Sequence, residues 1–182
     1  MLRIISGQLR SLLFDAPNWG LARPMSDRAR LALFNMLGDL ADCQLVLDAY
    51  GGSGALAFEA LSRGAQRAVI MESQPKVYAQ LIKNIAKLKL NDKVEVYKAN
   101  NVTCATNLDY KYDLIFLDPP YNNIREANLL KLASFLKTDG RLVLSHPPYL
   151  QSPFLAPDWL LLQARQYAQA CITIYQKQVL NG

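Results

Sequence analysis

Two short stretches of this chain hold reactive or ligand-gripping groups at spacings that suit chemistry. The first is DAYGGSGA, Asp48 to Ala55. Glycines there let the backbone approach a bound molecule, and a helix starting after them would offer free N–H groups at its amino end. The spacing departs from G-x-G-x-x-G, and Asp48 would repel a pyrophosphate placed against it. A cationic or zwitterionic ligand suits this turn better, and a nucleotide-dependent oxidoreductase is disfavoured. Glu72 ends the next apolar run, where a carboxylate can accept from both hydroxyls of a ribose. The second stretch is DPPY, Asp118 to Tyr121. Prolines cannot donate from the backbone and hold an extended turn, so nearby carbonyls stay free to accept from a ligand. A carboxylate, a free carbonyl and an aromatic face together can grip a planar group bearing an NH2. The chain carries its own control: HPPY, His146 to Tyr149, repeats Pro-Pro-Tyr without the aspartate. The aspartate, and its place two strand–helix units after the glycines, set DPPY apart.

Both stretches need a scaffold, and the sequence supplies a regular one. From residue 44, short β-rich runs alternate with helical patterns. QLVLD (44–48) reads as a buried strand and GALAFEALSR (54–63) as a helix ended by Gly64. RAVIME (67–72) predicts the second strand, and Pro75 opens an amphipathic helix to about Lys89. KVEVYK (93–98) and YDLIFLD (112–118) predict the third and fourth; the apolar middle of the latter suits the centre of a sheet. A helical pattern from Glu126 to Leu136 leads through Asp139 and Gly140 to a fifth strand, RLVLS (141–145). Strand and helix repeated at this spacing predict a parallel sheet covered on both faces. The runs Trp159 to Tyr167 and Ala170 to Lys177 predict an antiparallel hairpin at the sheet edge, making seven strands. Ahead of this core, RIIS and SLLF around Gly7 suggest a small hairpin. Ser26 caps a predicted helix from Asp27 to Leu37, closed by Gly38. The expectation is a single α/β domain over 1–182, with 1–40 as an amino-terminal extension and 41–182 as the core.

Composition bounds the rest. With 51% apolar and 19% charged residues, the 182-residue chain can bury a real core, which excludes disordered and fibrous classes. No apolar run approaches the ~20 residues that span a bilayer. Arg3 and Arg10 interrupt any export signal, so a cytosolic protein is expected. Cys43, Cys104 and Cys171 match neither a disulfide framework nor a zinc spacing, and read as small core residues. The lone His146 cannot supply a His-rich site; no metal is expected. The net charge of +5 is mild, but its distribution is uneven. Arg3, Arg10, Arg23, Arg28 and Arg30 stand against only Asp15 and Asp27 at the amino end, beside Trp19. Guanidinium forks bind phosphate bidentately and stack on bases, so this stretch is a candidate nucleic-acid surface. The lysines between Lys76 and Lys98 read instead as a solvated helix face.

Taken in order, DAYGGSG, the strand-end Glu72 and DPPY resemble an S-adenosylmethionine-dependent methyltransferase acting on an exocyclic or amide nitrogen. The amino-terminal pattern RIISGQLR (3–10) and ARPMSDRARLALFNML (22–37) narrows this. With ALSRGA (60–65), QLIKNIAKLK (80–89) and ITIYQK (172–177), it is similar to the bacterial 16S rRNA guanine-N2 methyltransferase family typified by RsmD. The resemblance covers nearly the whole chain and implies a Rossmann-like class I methyltransferase fold. It implies that Asp48, Tyr50, Gly52 and Gly54 shape the cofactor pocket, that Glu72 holds the ribose, and that Asn100 lies near the adenine amino group. Asp118, Pro119, Pro120 and Tyr121 would hold the target guanine, Asp118 also bordering the cofactor. Arg3, Arg10, Arg23, Arg28 and Arg30 would contact RNA, and the partner implied is 16S rRNA or the small ribosomal subunit, met by a monomer. The chain departs from the family at Tyr50, Gly51, Met25, Ser26, His146 and Pro147, and lacks the arginine and glycine that usually follow Arg10. Two alternatives stay open at this point: an N6-adenine methyltransferase, since DPPY grips any amino-bearing planar group, and a catalytically impaired RNA-binding member of the fold.

Overall fold

The computed structural model describes residues 1–17, 25–98, 110–154, 158–167 and 170–178. In chain order these form β1 (Leu2–Arg3), β2 (Leu13–Phe14), α1 (Asp27–Leu37), β3 (Leu45–Asp48), α2 (Ala55–Ser62), β4 (Arg67–Met71) and α3 (Pro75–Lys87). There follow β5 (Val94–Tyr97), β6 (Tyr112–Leu117), α4 (Glu126–Ala133), β7 (Leu136–His146), β8 (Trp159–Tyr167) and β9 (Ala170–Lys177). β1 and β2 pair antiparallel as a separate ribbon. The other seven strands make one sheet in the order β5-β4-β3-β6-β7-β9-β8. β3 to β7 run parallel, and β9 joins β7 antiparallel before pairing with β8. The chain leaves β3 toward β4 on one side and later returns to β6 on the other. This reversal opens a crevice at the carboxyl ends of the central strands.

Alternation along the strands sends successive side chains to opposite faces. Val46, Ile70, Phe116 and Val143 pack against α1, α2 and α3 on one face; Leu47, Met71, Leu117 and Leu144 pack with α4 residues Leu129, Leu132 and Ala133 on the other. The helix predicted from Asp27 to Leu37 occupies that range, with the Ser26 hydroxyl accepting from the Ala29 N–H. The lysine-bearing α3 buries Val77, Leu81, Asn84 and Ile85 and leaves its lysines in solvent. Cys43 is buried, and its thiol is pushed up to about 12 by that burial, so it is unreactive; Cys171 is half-buried, and Cys104 lies outside the described residues. No helix among the described residues is long and apolar enough to cross a membrane.

One element differs from expectation. The helical pattern read to Leu136 stops at Ala133, and β7 begins at Leu136 rather than Arg141. Leu136 is drawn into the core opposite Tyr112, whose N–H donates to the Phe135 carbonyl. The register then slips from the pair Tyr112 and Leu136 to the pair Leu114 and Arg141, with Asp139 at a φ of 60° inside the bulge. Sheet pairing overrides the helical period here, and the turn residues Asp139 and Gly140 make a bulge rather than a loop.

Candidate functional site

At or next to the carboxyl ends of four parallel strands stands the same three-residue sequence pattern, two apolar residues and then a polar one: Val46-Leu47-Asp48, Ile70-Met71-Glu72, Phe116-Leu117-Asp118 and Val143-Leu144-Ser145. Each polar residue stands two positions after one that packs on the face of α1 to α3. All four line a single cleft of about 1110 Å³ at the carboxyl edge of the sheet. The glycine turn (Tyr50, Gly51, Gly52 and Ser53) forms one side of it, and Asp118 to Tyr121 the other. HPPY contributes none of its residues to the lining, and Tyr149 is 84% exposed.

The glycine turn is built around its hydrogen bonds. The Gly51 N–H donates to the Met71 carbonyl at 2.9 Å, and Gly54 starts α2 at a φ of 85°, a left-handed conformation that a side chain resists. A Cβ at Gly54 would also fall 2.5 Å from the Phe58 ring. The Glu72 carboxylate accepts from the Gly52 N–H at 3.0 Å and from the Gln74 N–H at 2.7 Å. It therefore fixes the turn as well as bordering the cleft. Glu72→Ala is expected to weaken S-adenosylhomocysteine binding at least tenfold, measured by calorimetry. Unchanged binding would remove Glu72 from the ligand site.

Electrostatically the cleft centres on two carboxylates. Asp48 is 1% exposed, and burial, reinforced by the nearby Asp118 and Glu72 charges, pushes its carboxyl up to about 7 against hydrogen bonds from the Tyr50 and Ala57 N–H groups. Its Oδ1 has no hydrogen-bond partner among the described residues. Burial also raises the Asp118 carboxyl, with the Ser145 hydroxyl opposing the shift. Tyr121, half-buried in the short 3-10 turn Tyr121–Asn123, shares a 2.9 Å hydrogen bond with Ser145 Oγ. Asn100 lies outside the described residues. Among the described residues no cluster of His, Cys, Asp or Glu is arranged to hold a metal ion.

The amino-terminal extension reaches the same cleft through Pro17, Met25, Ser26 and Ala29. It is anchored on α2. Glu59, 0% exposed in the middle of that helix, accepts from the Ile5 N–H at 2.7 Å, the Ser6 N–H at 3.1 Å and the Arg63 Nε at 2.9 Å. Ser62 Oγ donates to the Ser6 carbonyl and accepts from the Leu9 N–H, and Gly7 sits so close that a Cβ would fall 1.9 Å from the Ser62 carbonyl oxygen. Asn84 of α3 ties the segment at Asp15 to the glycine turn, accepting from the Asp15 N–H and donating to the Asp15 and Ser53 carbonyls. The RIISG and ALSRG motifs are thus two halves of one joint.

The five arginines separate accordingly. Arg10 and Arg28 are exposed; Arg3 is exposed but pairs with Asp27 at 3.3 Å; Arg23 lies outside the described residues. Arg30 corrects the sequence reading. It is 0% exposed and donates through Nη2 to the Arg3 carbonyl and to Asp27, so it braces the extension from inside and presents nothing to a phosphate. The periodicity holds the signal: Arg30, Leu33, Phe34 and Leu37 share one helical stripe, and all four are buried. Ser145 and Arg125, both lining the cleft, likewise escape sequence reasoning. The repeated strand ending identifies Ser145; nothing in the spacing identifies Arg125.

An open parallel sheet finished by an antiparallel hairpin, with acids rather than a dinucleotide fingerprint around its glycine turn, is the architecture of a Rossmann-like methyltransferase. A family model described as "Conserved hypothetical protein 95" matches residues 2–176. Ribosomal RNA small subunit methyltransferase D of Escherichia coli strain K12 is 32% identical, covering 97% of this chain and 90% of that protein. Putative rRNA methyltransferase YlbH of Bacillus subtilis is 30% identical, covering 97% and 100%. The solved structure of the putative methyltransferase yhhF from Escherichia coli matches with a TM-score of 0.85 at 31% identity, covering 97% of this chain and 98% of that one. The chain belongs to the family of ribosomal RNA small subunit methyltransferase D.

Proposed function

We propose that this protein transfers a methyl group from S-adenosylmethionine to the exocyclic N2 of a guanine in 16S rRNA. The observation that carries the reading is that the glycine turn and the Asp118–Tyr121 corner open into one cleft, large enough for two ligands side by side. The residues fit the cofactor. Asp48 Oδ1 is a buried acceptor without a partner among the described residues, and an orphan of this kind costs about 1–3 kcal/mol until a donor arrives. The α-ammonium group of S-adenosylmethionine is such a donor. Glu72 would hold the ribose, with Tyr50 and Gly52 shaping the floor and Gly54, outside the lining, starting the helix behind it.

When bound, S-adenosylmethionine supplies an electrophilic methyl group on a sulfonium. The chain's own residues then act by placement. Guanine N2 is a poor nucleophile because its lone pair is delocalised into the ring. Acceptance of its N–H groups by the Asp118 carboxylate and the Pro119 carbonyl fixes the amino group and favours a pyramidal, more reactive nitrogen. Placement of this kind can supply about 7–11 kcal/mol in favourable cases. Transfer is direct, without a covalent enzyme intermediate. A carboxyl raised by burial binds a proton more tightly than an ordinary one, which suits Asp118 to take the proton that N2 loses. The Tyr121 ring covers the face of a base rotated out of its RNA context.

The test is incorporation of labelled methyl from S-adenosylmethionine into small ribosomal subunits lacking the modification, followed by nucleoside analysis. Label in N2-methylguanosine is expected; label in N6-methyladenosine, or cofactor binding with no transfer, would sink the reading. Basic residues on the extension supply the RNA-facing charge in this proposal. Arg10→Glu with Arg28→Glu is expected to reduce RNA affinity and flatten its salt dependence by about 0.7–0.9 in log–log slope for each phosphate no longer neutralised. Arg30→Met should leave that slope unchanged.

A further inference from the structure

We propose that Ser145, the last residue but one of β7, is a positioning residue: its hydroxyl ties Tyr121 to Asp118 and so sets the two groups that flank the nucleobase as one rigid corner. The proposal rests on the methyl-transfer reading for its kinetic consequence alone. Ser145 is 2% exposed, yet it lines the cleft, and its Oγ lies 2.9 Å from the Tyr121 hydroxyl. The same hydroxyl favours the charged form of Asp118, and the Tyr121 phenol in turn feels the Asp118 charge. The three groups are therefore mutually close. A serine hydroxyl has one proton to donate and two lone pairs to accept with, so it can accept from the phenol while donating to the carboxylate.

This linkage matters because little else among the described residues ties the corner together. Asp118 stands one residue beyond β6, and the next residues are two prolines, which cannot donate from the backbone. Tyr121 sits in a three-residue 3-10 turn with no side-chain cap. Ser145, by contrast, belongs to a strand paired on both sides, with β6 below the site and directly opposite Ile172 of β9. The hydroxyl carries the rigidity of the sheet interior to the turn. A displacement of about 1 Å at a reacting group can cost on the order of 100-fold in rate, so a bond of this kind has leverage on turnover.

The test compares Ser145→Ala with Ser145→Thr, which keeps a hydroxyl. The titratable groups coupled to Asp118 are Asp48 on β3 and Tyr121 on its own turn; Glu72 acts on Asp48, Cys171 of β9 acts on Tyr121, Arg125 lines the same cleft, and neither variant alters any of them. In Ser145→Ala, kcat is expected to fall about 10- to 100-fold, with S-adenosylhomocysteine affinity and RNA KM within about threefold. NMR titration of isotope-labelled aspartate side chains, with Asp118→Asn for assignment, should show the Asp118 midpoint rising in Ser145→Ala and returning toward the parent value in Ser145→Thr. An unmoved Asp118 midpoint, or a loss of cofactor affinity equal to the loss of kcat, would overturn the role. The titration needs no substrate, so it separates the two ideas: a shifted midpoint in an enzyme that methylates no rRNA refutes the substrate reading and leaves Ser145 in place.

Discussion

Asp118→Ala is expected to lower single-turnover methyl transfer at least about a thousandfold, the combined loss of the positioning acceptor and the proton acceptor proposed for it. S-adenosylhomocysteine affinity should stay within about threefold or tighten. The sign follows from the charges in the cleft. Asp118 is the principal charge raising the Asp48 carboxyl after burial itself, so removing it lowers the Asp48 pKa and leaves more carboxylate for a cationic ligand. Single-turnover kinetics beside calorimetry reads both numbers. A parallel collapse of cofactor binding and turnover would mean that Asp118 serves the cofactor rather than the base.

The second large effect is at Asp48, where stability and function should oppose each other. A carboxyl raised from 3.8 to about 7 binds a proton more tightly in the folded chain than in the unfolded one. Stability of the ligand-free protein therefore falls as pH rises from about 4 to about 7, and the penalty persists above that range. A shift of this size is on the order of 4 kcal/mol at pH 8. Asp48→Asn keeps the shape and removes the charge. We expect it to stabilise the ligand-free protein by about 1–3 kcal/mol at pH 8, to flatten the decline between pH 4 and 7, and to weaken cofactor binding more than tenfold. Denaturant unfolding at several pH values, with calorimetry on the same samples, checks all three. A variant that is both less stable and still binds would show Asp48 to be a structural acid.

Much of the scaffold is legible because its signals are local. Alternating apolar runs locate β3 to β6 within a residue or two, Ser26 and Gly38 bracket α1, and two β-rich runs with almost nothing between them locate the β8–β9 hairpin. Glycines and prolines at strand ends likewise mark both sides of the cleft. What spacing does not reveal is pairing across the chain. Glu59 meets Ile5 and Ser6 more than fifty residues away, and Asn84 meets Asp15 across nearly seventy. Arg30 reads as a surface charge because a charge is ordinarily solvated, although its place on an apolar helical stripe argues otherwise. The start of β7 is hidden because a helical period and a bulged strand are alike over so few residues. Ser145 carries no charge and attracts notice only beside its three counterparts.

The joint between Glu59, Ser62 and the first residues of the chain makes the leading arm inseparable from the enzyme. Trimming residues 1–8 to obtain a smaller catalyst would strip the Glu59 carboxylate of the Ile5 and Ser6 N–H groups, leaving it to Arg63, and would take the Ser6 carbonyl from the Ser62 hydroxyl, both in α2, the helix that the glycine turn itself begins. A shortened chain would fold best with positions 59 and 62 altered alongside the cut.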